Sequence, residues 1–205
     1  MKRYLNVGII QMPVSLDVTE NLRYITKTVD KLMNGYVRPE LILGVEYGIS
    51  YNYPERIPGR ITEYLSKIAD KYGIYFIPGT MAEKSDDLKE GQFYNTCPIF
   101  GPNGELIKKY RKKAPFKPAE QAMPSLSDDY CIINIEDKNI KIGLLICYDF
   151  FFPEIPRTLA LMGAELILCP SSDPMEFDYI PDILPRARAL ENEVYFIWTN
   201  ASSFD

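Results

Sequence analysis

Short apolar runs alternate along the chain with segments whose apolar residues recur at helical spacing. In the first half, this pattern predicts strands at residues 5–11, 41–45 and 74–78 and helices at residues 17–33 and 61–72. Asn34-Gly35 ends the first helix, and Gly73 follows the second as a C-terminal stop.

The middle of the chain carries two predicted hairpins. Residues 93–100 and 105–110 flank Gly-Pro-Asn-Gly, and residues 130–135 and 140–146 flank Glu-Asp-Lys-Asn. The segment between them, residues 111–129, contains three prolines and several charges, as functional loops on a rigid scaffold often do. Residues 153–162 and 181–193 then predict helices, and residues 166–169 and 194–199 predict strands. Strands that alternate with helices and are interrupted by hairpins predict a layered α/β domain with one mixed sheet or two sheets.

Composition and charge narrow the class of protein. The 205 residues suit one domain spanning 1–205, and 46% hydrophobic with 25% charged residues is typical of a globular protein. The net charge is only −5, and the lysines and arginines are dispersed along the chain. We therefore predict neither nucleic-acid binding nor a membrane-binding patch. No stretch approaches the ~20 apolar residues of a membrane span, and no signal-peptide core opens the chain. We predict a cytoplasmic protein that binds a small molecule or a protein partner.

Three chemically active residues follow predicted strands. Glu46 comes after residues 41–45, Lys112 after residues 105–110, and Cys147 after residues 140–146. At the carboxyl end of a strand in an α/β sheet, a side chain is lifted toward the crevice where ligands bind. Simpler interpretations also exist: Cys147 as an inert core thiol, Glu46 as a solvated strand end, and Lys112 as one charge of a solvated basic loop.

The chain has no histidine, and this limits its chemistry. Ser-His-Asp and Cys-His catalysis are excluded, as are metal sites that depend on imidazole. A catalytic Cys147 would need a carboxylate as its base and a cation beside the sulfur. The other cysteines, Cys97, Cys131 and Cys169, lie in or beside apolar runs and are predicted to be core residues. Their spacing matches no zinc site, so we predict no metal.

An ordered series of motifs resembles the nitrilase, or carbon–nitrogen hydrolase, superfamily. The motifs are Val-Gly-Ile-Ile-Gln-Met at 7–12, Glu46-Tyr, Tyr-Asn-Thr at 94–96, Tyr-Arg-Lys ending at Lys112, Gly-Leu-Leu-Ile-Cys-Tyr-Asp at 143–149, Pro-Glu at 153–154, Gly-Ala-Glu-Leu-Ile at 163–167, and Arg-Ala-Arg-Ala-Leu-Glu-Asn at 186–192. Each motif is weak alone, but their order and spacing are specific. A glutamate eight residues beyond Lys112, Glu120, looks like the second glutamate of the aliphatic-amidase pattern.

The resemblance implies an αββα sandwich with two mixed sheets, a Glu46–Lys112–Cys147 triad, and no cofactor. It further implies that Glu120 and the backbone N–H of Tyr148 position the substrate and that the protein forms a homo-oligomer, a dimer or larger. From its charge alone, Glu120 could equally be a surface loop residue. We expect a thiol-dependent amidohydrolase that releases ammonia from a small carboxamide or an N-carbamoyl compound. The alternative is a non-catalytic binding or interaction protein on the same fold.

Three departures from the family pattern bear on function. Nitrile-cleaving members usually have Cys-Trp-Glu where this chain has Cys147-Tyr-Asp149, which favours amide chemistry. The run Phe-Phe-Phe at 150–152 is bulky, and we expect it to narrow the pocket. Family members also continue beyond the region that matches the end of this chain, which implies an outer sheet shortened at its C-terminal side.

Overall fold

The computed structural model describes residues 4–126, 128–173 and 180–204. Its strands, in chain order, are β1 Val7–Ile9, β2 Pro13–Val14, β3 Leu41–Glu55, β4 Tyr75–Glu83, β5 Tyr94–Phe100, β6 Leu106–Arg111, β7 Cys131–Ile135, β8 Ile140–Leu144, β9 Leu166–Ser171, β10 Tyr195–Asn200 and β11 Ser203–Phe204. Its α-helices are α1 Val18–Met33, α2 Arg60–Tyr72, α3 Glu154–Leu161 and α4 Ile180–Asn192.

The strands form two mixed sheets. The first has the order β1-β3-β4-β5-β6, in which β1, β3 and β4 are parallel and the β4–β5 and β5–β6 pairs are antiparallel. The second has the order β10-β9-β8-β7, parallel except for the β7–β8 hairpin. Both predicted hairpins are therefore confirmed. The two-residue strands β2 and β11 form a separate parallel pair, too short to leave a pattern in the sequence.

The helices cover the outer faces of the two sheets. Apolar residues of α1 and α2, such as Ile25 and Leu65, pack with the first sheet. Those of α3 and α4, such as Leu159 and Ile180, pack with the second. The inner faces pack on each other through aliphatic side chains, including Leu43 and Leu144. Because most strands are covered on both faces, they appear in the sequence as continuous apolar runs. The architecture is the four-layer αββα sandwich.

Local sequence signals explain where several elements begin and end. The Asp17 side chain accepts a hydrogen bond from the Thr19 N–H at 2.8 Å and caps α1, which begins one residue after the predicted start. Gly73 ends α2 with φ of 63°, a conformation that suits glycine. The predicted end of the strand at residue 45 is wrong, because β3 continues through Glu46 to Glu55. Its register against β4 shifts between Val45 and Ser50, and Tyr47 has φ of 55°.

Candidate active site

Cys147 lies where the second sheet gives way to its outer helices. β8 ends at Leu144, and Cys147 opens a short 3₁₀ helix, Cys147–Phe151, that precedes α3. Cys147 has φ of 44° and is only 5% exposed. The left-handed conformation turns the chain sharply at the sulfur-bearing residue. The predicted strand-to-helix elbow is present, although a 3₁₀ helix was not anticipated between strand and helix.

Asp149 joins this elbow to the loop that carries Lys112. One carboxylate oxygen accepts from Ile146 N–H at 3.0 Å and from the Tyr110 hydroxyl at 2.9 Å. The other accepts from Lys113 N–H at 3.1 Å and Ala114 N–H at 2.7 Å. Burial raises the pKa of Asp149 to about 6, against the lowering effect of these donors. This fully buried carboxylate therefore sets the position of the elbow relative to the residues after β6.

Lys112 stands between two glutamates in a buried cluster. Its Nζ donates to Glu46 Oε1 and to Glu120 Oε2, each at 2.7 Å. The ammonium is 1% exposed, and its backbone is held by hydrogen bonds to Asn95 O and from Ser125 N–H. The chain around Lys112 contains many other cations, and the structure places only this one between Glu46 and Glu120 among the residues it describes.

Glu120 is buried, contrary to the alternative of a surface loop charge. Besides Lys112, its carboxylate accepts from the Tyr47 hydroxyl at 2.5 Å, Asn95 Nδ2 at 2.8 Å and Phe116 N–H at 2.8 Å. Asn95 Nδ2 also donates to Glu46 Oε1 at 2.9 Å and so links the two glutamates. Glu46 is likewise buried, at 3% exposure, rather than a solvated strand end.

Burial and charge shift the pKa values of this cluster in a defined pattern. Burial raises the pKa of Glu46 to about 7, with the Lys112 ammonium opposing the shift. Burial also raises the pKa of Cys147 well above its usual value, and the charge of Glu46 adds to the effect. For Lys112, burial alone would lower the pKa, but the charge of Glu46 and its neighbours outweighs burial and raises it. For Glu120, burial alone would raise the pKa, but Lys112 lowers it.

These shifts define the protonation states near neutral pH. Lys112 is an ammonium, Cys147 is a neutral thiol, and Glu46 titrates close to the ambient pH. Such a carboxylate is suited to accept and return a proton, because a general base works best when its pKa is near the working pH.

A cavity of about 570 Å³ opens onto these groups. Glu46, Lys112, Glu120 and Cys147 all line it, and so does Tyr148. This volume is within the range of about 300–1,000 Å³ that is usual for small-molecule sites. All five site residues named from the sequence therefore border one cavity.

Aromatic side chains form part of the cavity wall. The Tyr148 ring lies 5.0 Å from that of Phe116 and 4.9 Å from that of Phe151, measured between centroids. Of the run at 150–152, Phe151 alone lines the cavity. Phe150 is fully buried in the cluster beneath α3 and α4, and Phe152 is 40% exposed. The expectation that the whole run narrows the pocket is therefore wrong for Phe150 and Phe152.

Several residues at the site were not assigned a role from the sequence. They are Tyr47 and Asn95, which contact Glu120, Asp149 at the elbow, and Asp173, whose Oδ1 is 3.4 Å from Cys147 Sγ. Tyr47, Asn95 and Asp149 belong to the motifs that identify the family, so the sequence does mark them. A motif position, however, does not show which residue a side chain contacts. Asp173 belongs to none of them.

The remaining cysteines are confirmed as core residues. Cys97 and Cys131 lie between the sheets, and Cys169 lies beneath α3 and α4. Burial raises the pKa of each thiol. Within residues 4–126, 128–173 and 180–204, no three acidic or cysteine side chains are grouped as a metal site would require. In the same ranges, no helix is long and apolar enough to cross a membrane.

Comparisons with known proteins agree with this architecture. The crystal structure of Saccharomyces cerevisiae Nit3, a member of branch 10 of the nitrilase superfamily, superposes with a TM-score of 0.86 and 26% identity, over 98% of this chain and 76% of Nit3. The crystal structure of an amidase from Nesterenkonia sp. superposes with a TM-score of 0.80 and 25% identity, over 97% of this chain and 76% of the amidase. The fold is that of the nitrilase superfamily.

A sequence model defines the family itself. The model for carbon–nitrogen hydrolases matches residues 6–202, and the chain belongs to this family. The omega-amidase NIT2-B of Xenopus laevis is 38% identical over 158 residues, covering 73% of this chain and 56% of that protein. The chain thus spans just over half the length of this relative.

Proposed function

We propose that the protein is a thiol-dependent amidohydrolase that cleaves the C–N bond of a small carboxamide or an N-carbamoyl compound. The observation that carries the proposal is the convergence of Glu46, Lys112 and Cys147 on one cavity, where burial raises the pKa of Glu46 to about 7. Membership of the carbon–nitrogen hydrolase family supports it, as do an omega-amidase relative and an amidase of the same fold.

In the first half-reaction, Glu46 takes the proton of Cys147 as Sγ attacks the carbonyl carbon of the amide. The carbonyl oxygen becomes an oxyanion, which the Lys112 ammonium and the backbone N–H of Tyr148 stabilise. When this intermediate collapses, the C–N bond breaks and Glu46 gives its proton to the departing nitrogen. Ammonia leaves, and the acyl group remains on Cys147 as a thioester.

In the second half-reaction, Glu46 deprotonates a water molecule that attacks the thioester carbon. The same two donors stabilise the second oxyanion. The C–S bond then breaks, the thiol is restored with the proton held by Glu46, and the acid is released. Water exclusion strengthens these electrostatic contacts, and Lys112 is already buried before substrate arrives.

Glu120 supports this chemistry through Lys112. Its carboxylate helps to keep the lysine charged and, together with Glu46, holds the ammonium at 2.7 Å. The contacts of Glu120 with Tyr47, Asn95 and Phe116 in turn hold the carboxylate in place. We therefore assign Glu120 a positioning role.

Ammonia release from a panel of short aliphatic amides, ω-amides and carbamoyl compounds tests the proposal. At least one member should be hydrolysed, and Cys147→Ala should abolish the activity while the circular dichroism spectrum is retained. Cys131→Ala is the matched control, because it removes a buried thiol from between the sheets and should keep the activity. Alkylation with iodoacetamide, mapped by mass spectrometry, should label Cys147 before the other three cysteines. A Cys147→Ala variant that keeps the wild-type rate would refute the mechanism.

The cytoplasmic location, the homo-oligomeric assembly and the single domain spanning 1–205 stay predictions. Light scattering on the purified chain measures the assembly directly, and a mass equal to one chain would contradict it.

A further inference from the structure

Three aromatic side chains form one surface on the cavity at the candidate active site. Phe116, Tyr148 and Phe151 all line this cavity. The Tyr148 ring joins the other two, at 5.0 Å from Phe116 and 4.9 Å from Phe151 between centroids, within the range of about 4.5–7 Å that aromatic pairs prefer. We call these three rings the aromatic wall.

The backbone fixes the aromatic wall in place. Phe116 N–H donates to Glu120 Oε2 at 2.8 Å, and Phe116 O accepts from Glu120 N–H at 2.7 Å. At the other end of the wall, Phe151 O accepts from the buried Arg188 guanidinium at 3.2 Å. Tyr148 lies between them, in the short 3₁₀ helix of the elbow. Because the rings are already positioned, a ligand that packs on them has little ordering cost to overcome.

The protein covers the rings of the aromatic wall only in part. Each of the three residues is half-buried, in contrast to Phe150 of the same run, which is fully buried. A further half-buried aromatic residue, Tyr51, lines the same cavity, and its ring packs edge-on against that of Tyr47 at 4.8 Å. An apolar group in the cavity would remove this aromatic surface from water, and such burial favours binding.

The described lining of the cavity offers a substrate carboxylate no free cation. Lys112 is the only cation in that lining, and Glu46 and Glu120 each hold its ammonium at 2.7 Å. Residues 174–179, which lie in the chain between two parts of the lining, contain neither lysine nor arginine. A carboxylate on the acyl group would therefore lose hydration without gaining a counter-ion from these residues, whereas a neutral acyl group would not.

The position of Tyr148 indicates where on the substrate an apolar group lies. In the proposed reaction, the Tyr148 N–H holds the carbonyl oxygen, and the ring of the same residue belongs to the aromatic wall. A ring joined to the carbonyl carbon through one or two methylenes can reach this wall. The cavity, at about 570 Å³, is in the range that accepts drug-sized ligands and is larger than an amide of two or three carbons requires.

We propose that the aromatic wall makes the enzyme selective for amides of arylalkanoic acids, in which a neutral aromatic ring is separated from the amide carbon by one or two methylenes. This inference rests on the proposed amidohydrolase function and names the substrate class of that site. Phe116, Tyr148 and Phe151 bind the ring of the substrate, and Cys147 attacks the amide carbon at its other end.

Three amides that share one acyl chain test this selectivity. Propionamide ends in a methyl group at C3, 3-phenylpropionamide carries a phenyl ring there, and succinamate carries a carboxylate. The kcat/KM for 3-phenylpropionamide should exceed that for propionamide at least about 100-fold, because a single methylene in an apolar pocket already changes kcat/KM by about 10- to 200-fold. Succinamate should be the poorest substrate of the three. A wild-type preference for propionamide or succinamate overturns the proposal.

Phe116→Ala and Phe151→Ala each remove one ring of the wall. In both variants, the ratio of kcat/KM for 3-phenylpropionamide to that for propionamide should fall at least about tenfold. Phe152→Ala is the matched control, because its ring also lies near that of Tyr148, at 5.3 Å, but does not line the cavity. This control should keep the wild-type ratio. An unchanged ratio in either wall variant overturns the proposal, as does an equal fall in Phe152→Ala.

A binding measurement keeps the inference testable if the wall variants do not fold. Calorimetric titration of the Cys147→Ala variant, in which the wall is intact, should show tighter binding of 3-phenylpropionamide than of propionamide. It should also show a more negative change in heat capacity, the mark of apolar burial. Equal or weaker binding of 3-phenylpropionamide overturns the assignment.

The substrate class and the proposed function fail in different ways. If propionamide or succinamate is hydrolysed best, the substrate class is wrong and the amidohydrolase function stands. If neither these three amides nor any member of the broader panel releases ammonia, the proposed function itself fails.

Discussion

Replacing Glu120 by glutamine should shift the pH dependence of catalysis to lower pH. Glu46 and Glu120 each hold the Lys112 ammonium at 2.7 Å, so the two carboxylates are close together as well as sharing one cation. The charge of Glu120 raises the pKa of Glu46, and the Lys112 charge lowers it. Glu120→Gln removes the repulsion and leaves Lys112 to Glu46 alone. Both changes favour the Glu46 anion and lower its pKa.

The size of the shift follows from the geometry. Two unit charges about 5 Å apart, at an effective dielectric constant of about 20, interact by about 3 kcal/mol, which corresponds to roughly two pKa units. Because the glutamine loses at least one of the hydrogen bonds that Glu120 accepts, part of the effect will go into local rearrangement. We expect the pKa of Glu46 to fall from about 7 by about one to two units.

The assay is kcat/KM for ammonia release as a function of pH. Glu46 must be ionised to act as the base, so wild-type activity should fall about tenfold per unit as the pH drops below about 7. In Glu120→Gln the same limb should appear one to two pH units lower, and above it the variant should reach a plateau. Lys112 and Cys147 add no limb just above neutrality, because the pKa of each is raised above its usual value.

The control for this experiment is Glu63→Gln, which neutralises an exposed glutamate in the first turn of α2. Its acid limb should coincide with that of the wild type. An acid limb of Glu120→Gln that stays in place, or moves to higher pH, would show that Glu120 does not act on Glu46 through its charge.

Other substitutions test the remaining contacts. Lys112→Met should slow ammonia release at least about 100-fold, because an oxyanion donor is lost. It should also reduce the free energy of unfolding in urea by about 3 kcal/mol, because two buried carboxylates lose their partner. A variant as stable as the wild type would contradict the buried ion pairs. Asp149→Ala leaves four donors without their acceptor and should lower the free energy of unfolding by about 3 kcal/mol. Asp137→Ala, at an exposed turn, should leave it within about 0.5 kcal/mol of wild type. Equal losses would show that the contacts of Asp149 do not stabilise the elbow. Leu144→Ala, between the sheets, should lower the free energy of unfolding by about 2–5 kcal/mol. Leu161→Ala should leave it almost unchanged, because this side chain is 79% exposed on α3. Similar values for the two variants would show that Leu144 is not part of the core.

The sequence contained enough information to locate most of the secondary structure. Buried strands covered on both faces must be apolar throughout, and amphipathic helices must repeat their apolar residues every three or four positions, so both leave a local record. The end of β3 was placed incorrectly because Glu46 looks like a terminus. A charged residue can remain inside a buried strand only when a partner neutralises it, and the partner, Lys112, is 66 positions away.

At the candidate site, too, the sequence identified the residues but not the contacts between distant segments. Motif order alone selected Glu46, Lys112, Glu120, Cys147 and Tyr148, and in each case except Tyr148 a bland interpretation of the residue stood beside the functional one. The tertiary structure shows that Glu46, Lys112 and Glu120 are buried and ion-paired rather than solvated, and such contacts arise only when distant segments meet. Asn95 donates to Glu46 across 49 positions, and Asp173 meets Cys147 across 26.

By itself, the sequence determined the succession of strands and helices, the family to which the chain belongs, and a chemistry without imidazole. Only the tertiary structure decided which carboxylates meet the thiol and the ammonium. The reason is physical. Periodicity is a local property of the chain, whereas the pKa of Glu46 and the charge of a cavity depend on groups that folding brings within a few ångströms of one another.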